Sequence, residues 1–176
     1  MLGLKSGTVK LASHHKQWAK LFEKEKQRLL SVLGKIKVSI EHVGSTAVPG
    51  LKAKPILDIV LSSPSHKLSK KIYKILEKNG YTDHGEVGIP ERHLFVRGTE
   101  EKRTHHLHVT LKNSDFWKEH ILFRDYLLAH KGALTKYNTL KIKLSKQYAN
   151  DRKSYTKAKN AFIQNTLAKT KNHPHG

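Results

Sequence analysis

Past Ser114 the apolar residues of this chain recur only at helical spacing, whereas before it short β-branched runs alternate with helical ones. That change of period narrows the fold more than any other feature. The later part divides into SDFWKEHILFRDYLLAH, GALTKYNTLKIKLSKQYA and DRKSYTKAKNAFIQNTLA, with stripes such as Tyr137, Leu140 and Leu144, or Tyr155, Ala158 and Phe162. Upstream, SHHKQWAKLFEKEKQRLLSVLGK predicts a helix whose inner face is Trp18, Leu21, Phe22, Leu29, Val32 and Leu33. Ser13 is its expected N-cap and Gly34 its stop. KVSIEHV reads as a strand, and PILDIVL, from Pro55 to Leu61, as a buried one. Ser65 is placed to cap SHKLSKKIYKILEKNG, which Gly80 ends, and YTDHGEV, RHLFVRG and HHLHVTL read as further strands. The expected fold class is α+β: a mixed β-sheet flanked by helices, with a C-terminal helical segment. One domain is expected over 1–168, with a sheet-containing core over about 1–112, a helical lobe over about 113–168, and a flexible tail at 169–176.

Charge is the unusual part of the composition. The 34 Lys+Arg against 14 Asp+Glu leave a formal net charge of +20, which attracts phosphates, nucleic acid and anionic surfaces alike. No cysteine is present, so disulfide frameworks, thiolate metal sites and thiol nucleophiles are excluded. No run approaches the roughly 18 apolar residues of a membrane span, and MLGLKSGTVKLASHH lacks the apolar centre of a signal peptide. A soluble cytoplasmic protein is expected. RNA binding through the basic surface rests on charge alone: aromatic residues are only 7%, and no RNA-binding or helix-turn-helix signature is present.

The chemistry concentrates in EHVGSTAVPGLKAKPILDIV. A Gly44-Ser45-Thr46 turn leaving a strand lets backbone N–H groups and hydroxyls approach phosphate oxygens, because glycine has no side chain to block them. Asp58 then enters an apolar strand, where an acid is costly unless hydrogen-bonded or bound to a metal. Lys54, just before it, is a phosphate candidate, as are Arg92, Arg103 and Arg124 with their planar forks, although Arg124 could instead pair with Asp125. On the HHLHV strand His106 and His108 share one face, so Asp58, His106 and His108 could hold a divalent metal; hydrogen bonding or phosphate binding by the histidines is the alternative. His42 reads as a buried, hydrogen-bonded core residue. Tyr155 and Lys159 are four apart on one helix near Arg152, placed to meet a base and a phosphate, or to act as core residue and snorkelling lysine.

IEHVGSTAVPGLKAKPILDIV, THHLHVT, FRDYLLAH, YNTLKIKLS and YTKAKNAFI, in that order, resemble the GrpB family over nearly the whole chain. Through it the chain is similar to the nucleotidyltransferase superfamily (the polymerase-beta-like fold), whose signature is a Gly-Ser turn followed by a strand carrying Asp-x-Asp. The resemblance implies Asp58 and Ser45 as catalytic candidates, a divalent ion (Mg, Mn or Zn), and a nucleotide or coenzyme-A-like ligand, since a GrpB-like domain also occurs fused to dephospho-CoA kinase. The second acid of the signature is replaced by Val60, which cannot ligate a metal. That departure, generally shared by the family, means either a nucleotide pocket retained after transferase activity was lost or a different metal site, and the retained pocket is the favoured reading. Metal-dependent nucleotidyl or phosphoryl transfer is the reaction class the resemblance implies, and a non-catalytic basic RNA-binding module is the alternative.

Overall fold

The structure, a computed structural model, describes residues 1–172. In chain order it comprises helix α1 (Gln17–Leu33), strand β1 (Ser39–Val43), a 3-10 turn (Ser45–Ala47), β2 (Leu57–Ser63), α2 (His66–Lys78), β3 (Thr82–Asp83), β4 (His93–Thr99), β5 (Lys102–Leu111), α3 (Asp115–Ala129), α4 (Lys131–Gln147) and α5 (Arg152–Asn172). The strands form one sheet in the order β1-β2-β5-β4-β3. β2 and β5 are parallel, and the other pairs are antiparallel. The α+β expectation holds, and the mixed sheet follows from β5 returning beside β2 after the α2 and β3–β4 excursion.

Alternation along the central strands sorts the chemistry from the core. Leu57, Ile59 and Leu61 of β2, with Leu107 and Val109 of β5, join Trp18 and Leu29 of α1 and Ile72 and Leu76 of α2 in one buried cluster. Residues of opposite parity, Asp58 on β2 with His106 and His108 on β5, line a cleft on the other face. There α3, α4 and α5 pack through Val48, Leu51, Leu127 and Tyr137, and through a second cluster of Val9, Leu144 and Tyr155. The N-terminal segment ties the two sides together: Gly3 N–H donates to Pro55 O and Ala12 bridges Ala53, while Val9 N–H donates to Ala149 O and Gly7 O accepts from Arg152 N–H.

Helix ends follow local chemistry. Ser65 caps α2 by accepting from Leu68 N–H at 3.3 Å, and Gly34, at φ 59°, closes α1 as expected. Ser13 is not the cap of α1. The helix begins at Gln17, whose N–H is met at 3.2 Å by Nδ1 of His15. YTDHGEV contributes only the two residues of β3, because Gly85, Val87 and Gly88 all adopt positive φ and break the extended run. The tail expected from 169 is helical through Asn172; its last residues, 173–176, lie outside the described residues.

Candidate functional site

The cleft between the sheet and the three C-terminal helices has a volume of about 760 Å³. Its floor is the parallel β2–β5 pair, whose register sets Asp58 beside His106 and Val60 beside His108. His106, 3% exposed, bonds through Nδ1 to Asp58 Oδ1 at 3.0 Å, and its Nε2 lies 3.2 Å from Arg152 Nη2. Because a guanidinium only donates, Nε2 accepts and Nδ1–H donates, which fixes a neutral imidazole between carboxylate and arginine. Burial alone would raise the Asp58 pKa, but the hydrogen bond from His106 and the surrounding positive charge, Lys54 included, outweigh it and hold the carboxyl well below its usual range.

Three lysines close on this carboxylate from different elements. Lys54 precedes β2, Lys141 comes from α4 and Lys159 from α5, and all line the cleft with Arg152. Desolvation, reinforced by Arg152 and Lys159, lowers the pKa of Lys54 to about 7, and desolvation with Arg152 lowers that of Lys159 to about 8. Desolvation together with Lys159 and Lys54 lowers that of Lys141, 1% exposed, to about 7. One carboxylate does not balance this group. Tyr155 is the platform beneath it, with Lys159 Nζ 4.5 Å and Lys54 Nζ 6.0 Å from the ring centroid.

The expected site residues divide accordingly. Gly44, Ser45, Lys54, Asp58, Arg92, His106, His108 and Lys159 line one cleft. Thr46 is on the same wall, but its hydroxyl is 2.9 Å from His42 Nε2 and serves the turn. His42 is the structural residue expected: it stacks on Phe22 at 4.6 Å, and burial lowers its pKa to about 4. Tyr155 does not offer its ring to a base, since it is 1% exposed and covered by Lys159. Arg124 lines the cleft with its Nε on Asp125 Oδ1 at 2.7 Å, the pairing weighed from the sequence, and its Nη1 shared between Glu41 Oε2 at 3.0 Å and His42 O at 2.9 Å. Arg103 does not line the cleft; it is paired with Glu100 and joined through its backbone to Leu4, and only its charge reaches the site, through Arg152.

The metal expectation does not fit this geometry. Among the described residues no group of three or more His, Asp or Glu is arranged to hold an ion. Both nitrogens of His106 are engaged, so it cannot ligate without giving up Asp58 or Arg152.

Tyr137, read from the sequence as an apolar stripe residue, lines the cleft, and Lys141 beside it was not read as a site residue. The signal was there: Lys141 stands in the stripe Tyr137, Lys141, Leu144, so helical spacing places a lysine on the buried side of α4. Phe116 and His120 were also missed; they stack at 4.0 Å on α3 and approach His108.

Fold and site together define an α+β protein with a cationic cleft around one hydrogen-bonded carboxylate. The GrpB protein family matches residues 8–169, and the chain belongs to that family. It is 39% identical over 171 residues to the glutamate-rich protein GrpB of Alkalihalophilus pseudofirmus, covering 95% of this chain and 98% of that one. It is 36% identical over 156 residues to YqkA of Bacillus subtilis, covering 89% of this chain but only 45% of that longer protein. The crystal structure of the conserved protein GrpB from Enterococcus faecalis superposes with a TM-score of 0.82 at 31% identity, covering 91% of this chain and 96% of that one. Among the described residues no helix is long and apolar enough to cross a membrane.

Proposed function

We propose that the cleft binds a nucleotide or a nucleotide-containing cofactor, with phosphates held by Lys54, Lys141, Lys159 and Arg152. The observation that carries this reading is the convergence of those four cations on the single carboxylate of Asp58 inside a cleft of about 760 Å³. Cations crowded in a desolvated space are stabilised by an anion that reaches all of them, and a polyphosphate does so. The volume is within the usual range for small-molecule sites. Ser45 and the Gly44 turn, on the same wall, are phosphate ligands in this reading.

Asp58 orients the site rather than accepting protons. A carboxyl held well below its usual range is a weak general base, and it already accepts from His106. With Val60 in place of the second acid, the nucleotidyltransferase-like architecture serves binding first. Nucleotidyl or phosphoryl transfer is the reaction class that the family resemblance would supply. A cytoplasmic nucleotide or coenzyme-A-like ligand fits this reading, and RNA on the exposed basic surface is the competing one.

Thermal shifts of nucleic-acid-free protein test the proposal, using nucleoside triphosphates and coenzyme A with and without Mg. Stabilisation by about 2.7 kcal/mol is expected at a hundredfold excess over Kd, with loss of the shift in Lys159→Met. The reading fails if none of these ligands shifts the melting temperature while RNA binds the protein and Lys159→Met equally well.

A further inference from the structure

The other end of the cleft holds a second set of polar groups for which the fold supplies no partner. Arg92 is 4% exposed, yet its Nε and Nη1 are buried without an acceptor, and Nδ1 of His108 is buried without a partner as well. Guanidinium donors taken from water and left unpaired carry their full desolvation cost. A group that lines a cleft in this state is poised for an acceptor from outside the chain.

This set is separate from the lysines. Arg92 comes one residue before His93, which pairs with Val109, whereas Asp58 pairs with His106. The two levels are four residues apart along β5, about 13 Å at strand rise. Of the cleft's cations, Arg92 is the one whose charge acts on His108 and His120, which also feel the Asp58 carboxylate, while the lysines act on one another and on Asp58. The Arg92 guanidinium stands 5.5 Å from the ring centroid of Phe116, in the first turn of α3. Glu86 is the carboxylate whose charge reaches Arg92, and its Oε1 is used by Glu91 N–H at 2.8 Å; Glu91, Asp115 and Glu119 also line this end.

The segment leading to Arg92 is strained as well. Val87 and Glu91 adopt φ of 46° and 60°, a left-handed conformation disfavoured for both side chains and worst for the β-branched valine. Strain of this kind persists where the surroundings impose it, commonly at ligand sites. Here it accompanies a buried arginine with unused donors.

We propose that Arg92, with His108, forms a second oxyanion subsite, so that the cleft takes a ligand bearing two separated anionic groups: a phosphate at the lysine end and a phosphate or carboxylate at the Arg92 end. The inference rests on the lysine end being a phosphate site, and it adds a length and a second charge to the ligand. A nucleotide anionic at one end only leaves Arg92 unsatisfied. A ligand anionic at both ends satisfies the whole cleft.

Calorimetric titration with inorganic phosphate in low-salt buffer at pH 7 tests this on the whole chain, on Arg92→Met and on Lys159→Met. Two phosphates are expected per wild-type chain and one per chain of either variant, with acetate competing only at the Arg92 end if that end prefers carboxylates. Arg92→Lys keeps the charge but loses the fork, and is expected to retain the second site at least tenfold weaker. In the absence of phosphate, Arg92→Met is expected to melt no lower than wild type, because it removes unpaired buried donors. One phosphate in wild type, kept in Arg92→Met and lost in Lys159→Met, overturns the second subsite and leaves the lysine site standing. One phosphate lost only in Arg92→Met keeps the Arg92 subsite and removes the reading beneath it. A clearly lower melting temperature for ligand-free Arg92→Met overturns the subsite by giving Arg92 a structural role.

Discussion

Gly44 has φ 68°, and a Cβ added there would stand 2.8 Å from Oδ2 of Asp58. The glycine of the Gly-Ser turn is therefore required twice, by its backbone and by the carboxylate on the neighbouring strand, which Val43 reaches through its pairing with Asp58. Gly44→Ala is expected to destabilise the fold by about 2–4 kcal/mol, combining left-handed strain with the clash. In an Asp58→Ala background the same change should cost about 1 kcal/mol less, and urea denaturation of the four proteins measures that coupling. Strict additivity would show that the carboxylate does not confine the glycine. At this scale the sequence signalled the Gly-Ser turn, Asp58 and the shared face of His106 and His108. It concealed that Nη1 of Arg124 is committed to Glu41, 83 residues away, a pairing that no local pattern encodes.

Among the elements, the tie between α1 and the sheet is polar as well as apolar. Glu25, 5% exposed, accepts from Arg97 Nη1 of β4 at 2.6 Å, from the Tyr81 hydroxyl at 2.8 Å, and from Arg28 Nη2 on its own helix at 2.6 Å. Burial would raise its pKa, but the Arg28 guanidinium and the Tyr81 phenol hold the carboxylate below its usual range, and its removal would strand the donors of Arg28 and Arg97. Glu25→Ala is expected to cost about 3–5 kcal/mol in chemical denaturation while leaving phosphate titration of the refolded protein unchanged, because this network and the cleft lie on opposite faces of the sheet. A loss of phosphate binding in folded Glu25→Ala would mean that the faces are coupled. Helices and long strands were legible because their apolar periods are enforced by the two-sided burial of the sheet. Glu25 was not, since an acid on a lysine-rich helix reads as solvated until Arg97 and Tyr81 are brought beneath it. Ser65→Ala, removing a cap that was legible, should cost about 1 kcal/mol.

Over the whole molecule the net charge of +20 makes pH and salt levers on the proposed anion binding. Lys54, Lys141 and Lys159 have native pKa values near 7, 7 and 8, against about 10.4 for an unfolded lysine. Between pH 7 and 10 the unfolded chain therefore binds more protons at these sites than the native one, and stability of the ligand-free protein rises with pH across that window. Phosphate has the opposite dependence: it favours the protonated lysines, so affinity falls as pH passes 7 to 8. Urea midpoints at pH 7 and 9, each with and without phosphate, measure both trends. A ligand-free midpoint that falls over this range would show that these lysines keep their charge in the native state. The long-range field also steers anions toward the cleft, so the association rate should fall steeply with ionic strength.

Asp58, His106 and Arg152 meet across sequence gaps of 48 and 46 residues, joining the second strand, the fifth and the last helix. That spacing gives the site a place in time. During synthesis the carboxylate leaves the ribosome long before its histidine, and the histidine long before its arginine. The cleft therefore cannot be completed until α5 has emerged, and a nascent chain that stops short of it can bury its first core yet present Asp58 without the guanidinium that finishes the relay.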